Sequence, residues 1–432
     1  MLAKLLFPQV NRLQIFDFLD AKRRWSLLIL FGVGLLFWSS ITTLLPTLSL
    51  YVKDIGGSKQ EIGFVMGSFA IGLLLSRIWL GRLADQRGRK IVITLGTAVA
   101  AIAPWGYLFI HQIPLLMVLR AFHGISVAAF TTGYSALVAD LAPPNRRGEL
   151  IGYMSLVAPI GMGIGPVLGT VLKSQFGYQP LFVVTSSLGI LCLLLSSQVW
   201  EPYRAPKELL TPDSPHPKPR LYWQTVQKFC QKILHPSTSI LATVLLMVGL
   251  IFGSLVTFLP LFVEADQLQL NTGLFYAIAA LASFAVRLPV GRASDRYGRG
   301  LFVTIGLLCY GISMIFLWQA ETPPMFWLAA AIEGCGAGLV LPMVITLVTD
   351  RSHPDERGFL FSICIGGFDL GMALAGPIMG MIAEFIGYRN LFAVDVGLAT
   401  VALIIFATAS NHSVIQSCRF ALGRGQDVYA RE

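Results

Sequence analysis

Long uninterrupted apolar runs recur along this chain, each about the length needed to cross roughly 30 Å of hydrocarbon. In the first half they fall at 25–51, 61–80, 91–110, 113–138, 150–171 and 181–199. After a polar stretch they resume at 237–263, 272–290, 301–318, 324–348, 359–382 and 391–409. The pattern predicts twelve membrane-spanning helices. The runs are continuous rather than alternating and about twice the length of a barrel strand, which selects helices over a β-barrel. The first 24 residues are polar and broken by charges, and no small-residue cleavage site follows the first run. That run is therefore expected to remain as the first helix and not to act as a cleaved signal.

Composition agrees. Of 432 residues, 55% are apolar and 13% charged, against about 25% charged in a soluble domain. This excludes a soluble enzyme, a disordered chain and a nucleic-acid binder. The net charge of +9 has a different origin, visible once it is located. The two tails, the 201–236 segment and alternate loops carry 25 Lys and Arg; the intervening loops carry only Lys53, Lys59, Lys173 and Arg389. The remaining Arg77, Arg120 and Arg287 fall inside spans. By the positive-inside rule both termini and the central segment are expected in the cytoplasm, and no nucleic acid is needed to explain the charge. The six cysteines avoid the outer loops and show neither a disulfide framework nor zinc spacing. No metal and no cofactor are expected.

The chain repeats itself at an offset of 210. Arg77 falls on Arg287, and Gly81-Arg-Leu-Ala-Asp85-Gln-Arg-Gly88-Arg89 on Gly291-Arg-Ala-Ser-Asp295-Arg-Tyr-Gly298-Arg299. Gly124 falls on Gly334, Asp140 on Asp350, Pro144, Arg147 and Gly148 on Pro354, Arg357 and Gly358, and Gly177-Tyr178 on Gly387-Tyr388. Several clusters in register across a whole half predict two six-helix halves in the same orientation. The expected organisation is an N-terminal tail at 1–24, a first half at 25–200, a linker at 201–236, a second half at 237–410 and a C-terminal tail at 411–432. Within the linker, 221–234 has helical apolar spacing with Lys228 and Lys232. It reads either as a membrane-surface helix or as a solvated one.

The repeated loop has readable chemistry. Gly81 and Gly88 permit a tight turn and close backbone approach, Asp85 can cap a helix or pair with an Arg, and Arg87, Arg89 and Lys90 favour the cytoplasmic face. Together with the parallel duplication, this loop resembles the signature between the second and third helices of the major facilitator superfamily, a family of secondary transporters. The resemblance covers all twelve spans. It implies the all-α fold of that family, a substrate held between rocking halves, and a conformational latch at Gly81, Asp85, Gly88 and Arg89, with a second copy at Gly291, Asp295, Gly298 and Arg299. The second copy departs from the pattern at Ala293 and Gly300, which implies a weaker latch.

Two further segments extend the resemblance. Arg120 and Gly124 match the buried-Arg motif of the fourth helix, which in proton-coupled members is tied to proton movement; His123 stands where the family usually has Gln. Buried Arg is costly in a membrane, so Arg120 either faces the interior with a partner or snorkels outward. His123 reads either as a structural polar contact or as a proton site. Gly152, Gly161, Gly165, Pro166 and Gly169 in the fifth span resemble the antiporter motif, except for Thr170 at its end. The family reading makes it an interface with the eighth span that sets the direction of transport; the alternative is general small-residue packing.

Glu333, at the repeat position of His123, and Asp369, near the middle of the eleventh span, are the other charges read as functional. Asp395 is expected near the outer end of the last span within reach of water, and Arg77 and Arg287 are expected to snorkel from the inner ends of theirs. The substrate and coupling candidates are thus Asp369, Glu333, Arg120 and His123. With no catalytic motif, nucleotide-binding loop or metal pattern, an enzyme is not expected. The expectation is a monomeric, proton-coupled secondary transporter in the plasma (inner) membrane, exporting a small organic or amphipathic molecule. Its partners are that substrate, protons and the lipid bilayer. An importer of a sugar, carboxylate or lipid-like solute is the alternative on the same fold; a non-transporting receptor or intramembrane enzyme is the alternative in another class.

Overall fold

A computed structural model describes residues 19–143, 147–202, 235–268, 270–353 and 356–430. The expected linker helix at 221–234, Pro144, Pro354 and most of the N-terminal tail lie outside the described residues. No strand occurs among the described residues. The helices are α1 (Ala21–Thr43), α2 (Leu48–Asp54), α3 (Lys59–Arg87), α4 (Arg89–Phe109), α5 (Ile113–Leu141), α6 (Arg147–Met154), α7 (Val157–Phe176) and α8 (Tyr178–Ser197). The second half holds α9 (Pro236–Ala265), α10 (Thr272–Tyr297), α11 (Arg299–Trp318), α12 (Pro323–Asp350), α13 (Arg357–Ala409) and α14 (Val414–Ala421).

Ten of these stretches are apolar and long enough to cross a membrane, and the bent α3 makes an eleventh. Gly387 adds the twelfth: its φ of 79° breaks the 53 residues of α13 into two spans, 357–386 and 388–409. The chain is therefore a multi-pass, all-helical membrane protein with twelve spans. Its outer belt is consistent with this, since Phe109, Val118, Leu281 and Phe385 are large, apolar and exposed, as contact with lipid tails allows.

The termini of the helices explain the punctuation in the sequence. Ser58 and Glu61 form a capping box at the start of α3, each accepting from the other's backbone N–H. Gly88, at φ 107°, turns α3 into α4 within a single residue, and Gly298, at φ 87°, does the same between α10 and α11. Gly177 (φ 84°) and Gly387 (φ 79°) are the equivalent pair at the opposite end of the molecule. These angles lie where a Cβ is strained, so the repeat of 210 is a repeat of chain reversals.

Two interior clusters form. One lies within the first half and includes Leu27, Phe37, Val92, Phe130 and Leu141. The other joins the second half to residues of the first, among them Leu48, Tyr51, Ile62, Met66 and Tyr107. The halves thus share a core at the end opposite the basic loops.

Candidate functional site

At the basic end, the repeated loops are built alike. Arg89 pairs with Asp85 at 2.5 Å and with Asp140 at 3.7 Å. Arg299 pairs with Asp295 at 3.6 Å and with Asp350. Asp85 and Asp295 are mostly exposed, and a Cβ at Gly81 or Gly291 would meet nothing within 4 Å. What caps α4 is Glu201 at the end of the sixth span: its carboxylate accepts from the backbone N–H of Arg89 at 2.6 Å and of Lys90 at 3.0 Å. The helix N-terminus favours that negative charge. In the second half the C-terminal segment occupies the corresponding place, with Gly423 beside Gly298 and Phe420 against Gly300.

The fifth span is not one helix. It breaks between α6 and α7, leaving Gly152 exposed in α6. Gly161, Gly165 and Gly169 pack against Trp38, Ser39, Thr42 and Thr43 of α1, not against the eighth span. They are small because the backbone of α1 lies where a side chain would be, and Thr42 Oγ1 donates to the Gly161 carbonyl at 3.0 Å. Contact with the eighth span includes Pro166 and Thr170, which face Gly273 of α10, and Gly163, which faces Ala280. The glycine that allows that approach sits on the other partner.

The seam between α3 and the first part of α13 carries the central charge pair. Gly63 and Gly376 present bare backbone to each other, and Gly67 lies against the Ala373 carbonyl. Further toward the basic end, Arg77 Nη2 stands 2.9 Å from Asp369 Oδ2. Asp369 is about 18 Å along its helix from Arg357 and 3% exposed. The snorkelling expected of Arg77 does not occur, because a buried carboxylate of the other half offers it a closer partner than the membrane surface. Arg287, the repeat mate of Arg77, is exposed.

In the first half, Arg120 and His123 are buried one turn apart on α5. The Arg120 guanidinium lies 4.3 Å from the Phe69 ring centre. His123 Nδ1 is 3.2 Å from the Tyr107 hydroxyl. Arg120 Nε and Nη1 and His123 Nε2 are buried without a hydrogen-bond partner. In the second half, Glu333 is buried in α12, with Tyr276 and Tyr310 among its electrostatic neighbours. Asp395 is not within reach of water as expected: it is fully buried and accepts from Ser254 at 2.8 Å. Packing of α9 across the last span closes it off. The four candidates therefore do not form one cluster. Asp369 belongs to the seam, Arg120 and His123 to the first half, and Glu333 to the second.

The halves also touch at the end opposite the basic loops. Lys53 pairs with Glu264 at 3.0 Å, and Lys59 Nζ donates to the Ala383 carbonyl at 2.9 Å over the Tyr388 ring.

One group the sequence did not single out is Arg351, just after α12. It is 5% exposed. It donates to Asp427 at 2.8 Å and to the carbonyls of Ser237 and Ser410 at 3.1 and 3.2 Å. It thus ties the C-terminal segment to three span ends. Asn411 reinforces this by accepting from Val428 at 3.1 Å. The amphipathic spacing of 414–421 is the signal that could have revealed an ordered helix in place of a loose tail.

The model of a family described as Major Facilitator Superfamily matches residues 29–301 and 270–413. An uncharacterized MFS-type transporter of Salmonella typhimurium is 29% identical over 357 residues, covering 81% of this chain and 87% of the relative. Multidrug resistance protein MdtG of Salmonella arizonae is 26% identical over 400 residues, covering 89% and 93%. Among solved structures, a mutant of the nucleoside transporter NupG superposes with a TM-score of 0.71 at 16% identity, over 88% of this chain and 98% of that one. An inward-facing, occupied bacterial homolog of the human lysosomal transporter Spinster superposes with a TM-score of 0.70 at 16% identity, over 95% and 99%.

Proposed function

The chain belongs to the Major Facilitator Superfamily, and from that premise we propose that it is a proton-coupled exporter of a small organic or amphipathic molecule, working by alternating access. The observation that carries this reading is the ion pair between Arg77 and Asp369, which joins the two halves at membrane depth. A charged carboxylate there is costly unless a cation neutralises it. Protonation of Asp369 removes the charge that Arg77 attracts, so proton occupancy and the relative position of the halves become linked quantities. A proton taken from one side then favours one arrangement, and its release on the other side favours the return.

The likeness to MdtG supports export, and the asymmetric distribution of basic residues supports the inner membrane with both termini and the 201–236 linker in the cytoplasm. With the basic end so assigned, the shared core and the contacts of Lys53 and Lys59 describe a molecule closed toward the outside. On this reading, Glu333 is a second acid of the coupling machinery, held within one half.

The test is accumulation of amphipathic fluorescent dyes in cells with and without the protein, repeated with a proton uncoupler. Lower accumulation that the uncoupler abolishes is the expected result. A protein-dependent rise in accumulation would replace export by import, and a change insensitive to the uncoupler would remove the proton.

A further inference from the structure

We propose that Arg120 and His123 form a binding subsite for an oxyanion, a carboxylate in particular, on the transported molecule. The proposal rests on the transport reading and adds the chemical class of the substrate. Arg77, Arg89, Arg299, Arg351 and Arg389 each pair with an aspartate. Arg120 pairs with no carboxylate among the described residues, although it is 4% exposed. A guanidinium out of water without an anion is strongly unfavourable. The Phe69 ring at 4.3 Å accounts for one face of it and contributes only a modest cation–π attraction. Its Nε and Nη1 are buried and without an acceptor.

His123 adds a third donor. When the Tyr107 hydroxyl donates to Nδ1, the ring proton resides on Nε2, and that Nε2 is also buried and unpartnered. Residues three apart on a helix share a face, and Phe69 lies against both, 5.8 Å from the His123 ring centre. Two arginine N–H groups and one imidazole N–H beside an aromatic ring suit the two oxygens of a carboxylate on an apolar body. The repeat shows that the close helix approach at this place does not require an arginine. At the equivalent place in the second half, Ala330 and Glu333 stand where Arg120 and His123 do, and the helix approach of Gly334 to Ala279 matches that of Gly124 to Phe69. The helices approach there with no guanidinium at that position.

The test uses the purified full chain in lipid nanodiscs with no proton gradient, so that failure of coupling or of export leaves its result unaffected. Binding of 1-naphthoate is compared with that of the neutral 1-naphthalenemethanol. Wild type is expected to bind the carboxylate at least tenfold more tightly. Arg120→Gln should abolish that preference while retaining the alcohol. Equal affinity of wild type for the two probes overturns the proposal, as does a preference that survives Arg120→Gln. Should Arg120→Gln fail to fold, Arg120→Lys decides in its place: a reduced preference is expected, and an undiminished one overturns the proposal.

Discussion

Asp369 and Arg77 make the sharpest claim at the scale of single residues. Asp369→Asn keeps shape and hydrogen-bonding capacity but cannot titrate. In proteoliposomes, proton-driven accumulation should fall at least tenfold while substrate exchange without a gradient persists. Unchanged pH-dependent transport would remove Asp369 from coupling and direct attention to Glu333. Arg351 makes a claim about stability. It is buried and satisfied by one carboxylate and two carbonyls. Arg351→Ala leaves all three without their donor, and removal of one partner from a buried pair costs about 3 kcal/mol or more. Thermal unfolding in detergent should show a clear drop for Arg351→Ala and a smaller one for Asp427→Asn. The acids were legible as charges inside apolar runs, because a charge at that depth requires a reason. Their partners were not, since Arg77 and Asp369 are 292 positions apart and only the packing of α3 on α13 makes them neighbours.

At the scale of elements, the α3–α13 seam depends on Gly63 and Gly376, whose backbones approach too closely for a side chain. Gly376→Val should force the helices apart at the end away from the basic loops. Distances between spin labels at positions 53 and 264 should lengthen, and an unchanged distribution would show that the seam does not hold the halves together. The spans themselves were readable, because roughly 20 apolar residues per crossing is a demand of the bilayer itself. The break between α6 and α7 was not, since nothing in the local pattern around Ser155 and Leu156 departs from an apolar helix. The same holds for the glycines of the fifth span. Their spacing announces close packing, but which neighbour they admit, α1 in place of α10, is a property of the bundle.

For the whole molecule, the distribution of contacts defines the state. Asp85 pairs with Arg89 in its own half and is exposed, while the halves share a core at the other end. Asp85→Asn should therefore leave folding intact and bias the population toward this arrangement. A shift of about 1.4 kcal/mol would change the ratio of states tenfold. Cysteine accessibility on the basic side reads the change, and wild-type accessibility together with wild-type transport would remove the latch role. The same labelling settles orientation. Cysteines placed in 201–236 should react only from the cytoplasm, and reaction from outside would invert the topology.

The sequence by itself determined the class of molecule, the number of spans and the duplication, because each follows from local quantities: apolar length, loop charge and clusters of glycine and charged residues that recur at a fixed offset. It also marked which polar residues stand at membrane depth. Tertiary structure alone decided how those residues are divided. It gave Arg77 a carboxylate from the opposite half, closed Asp395 behind Ser254, left Arg120 without an anion and folded the C-terminal segment onto Arg351. The reason is physical. The cost of burying a charge is written in the chain, whereas the partner that meets that cost is selected by helix packing between residues far apart in sequence.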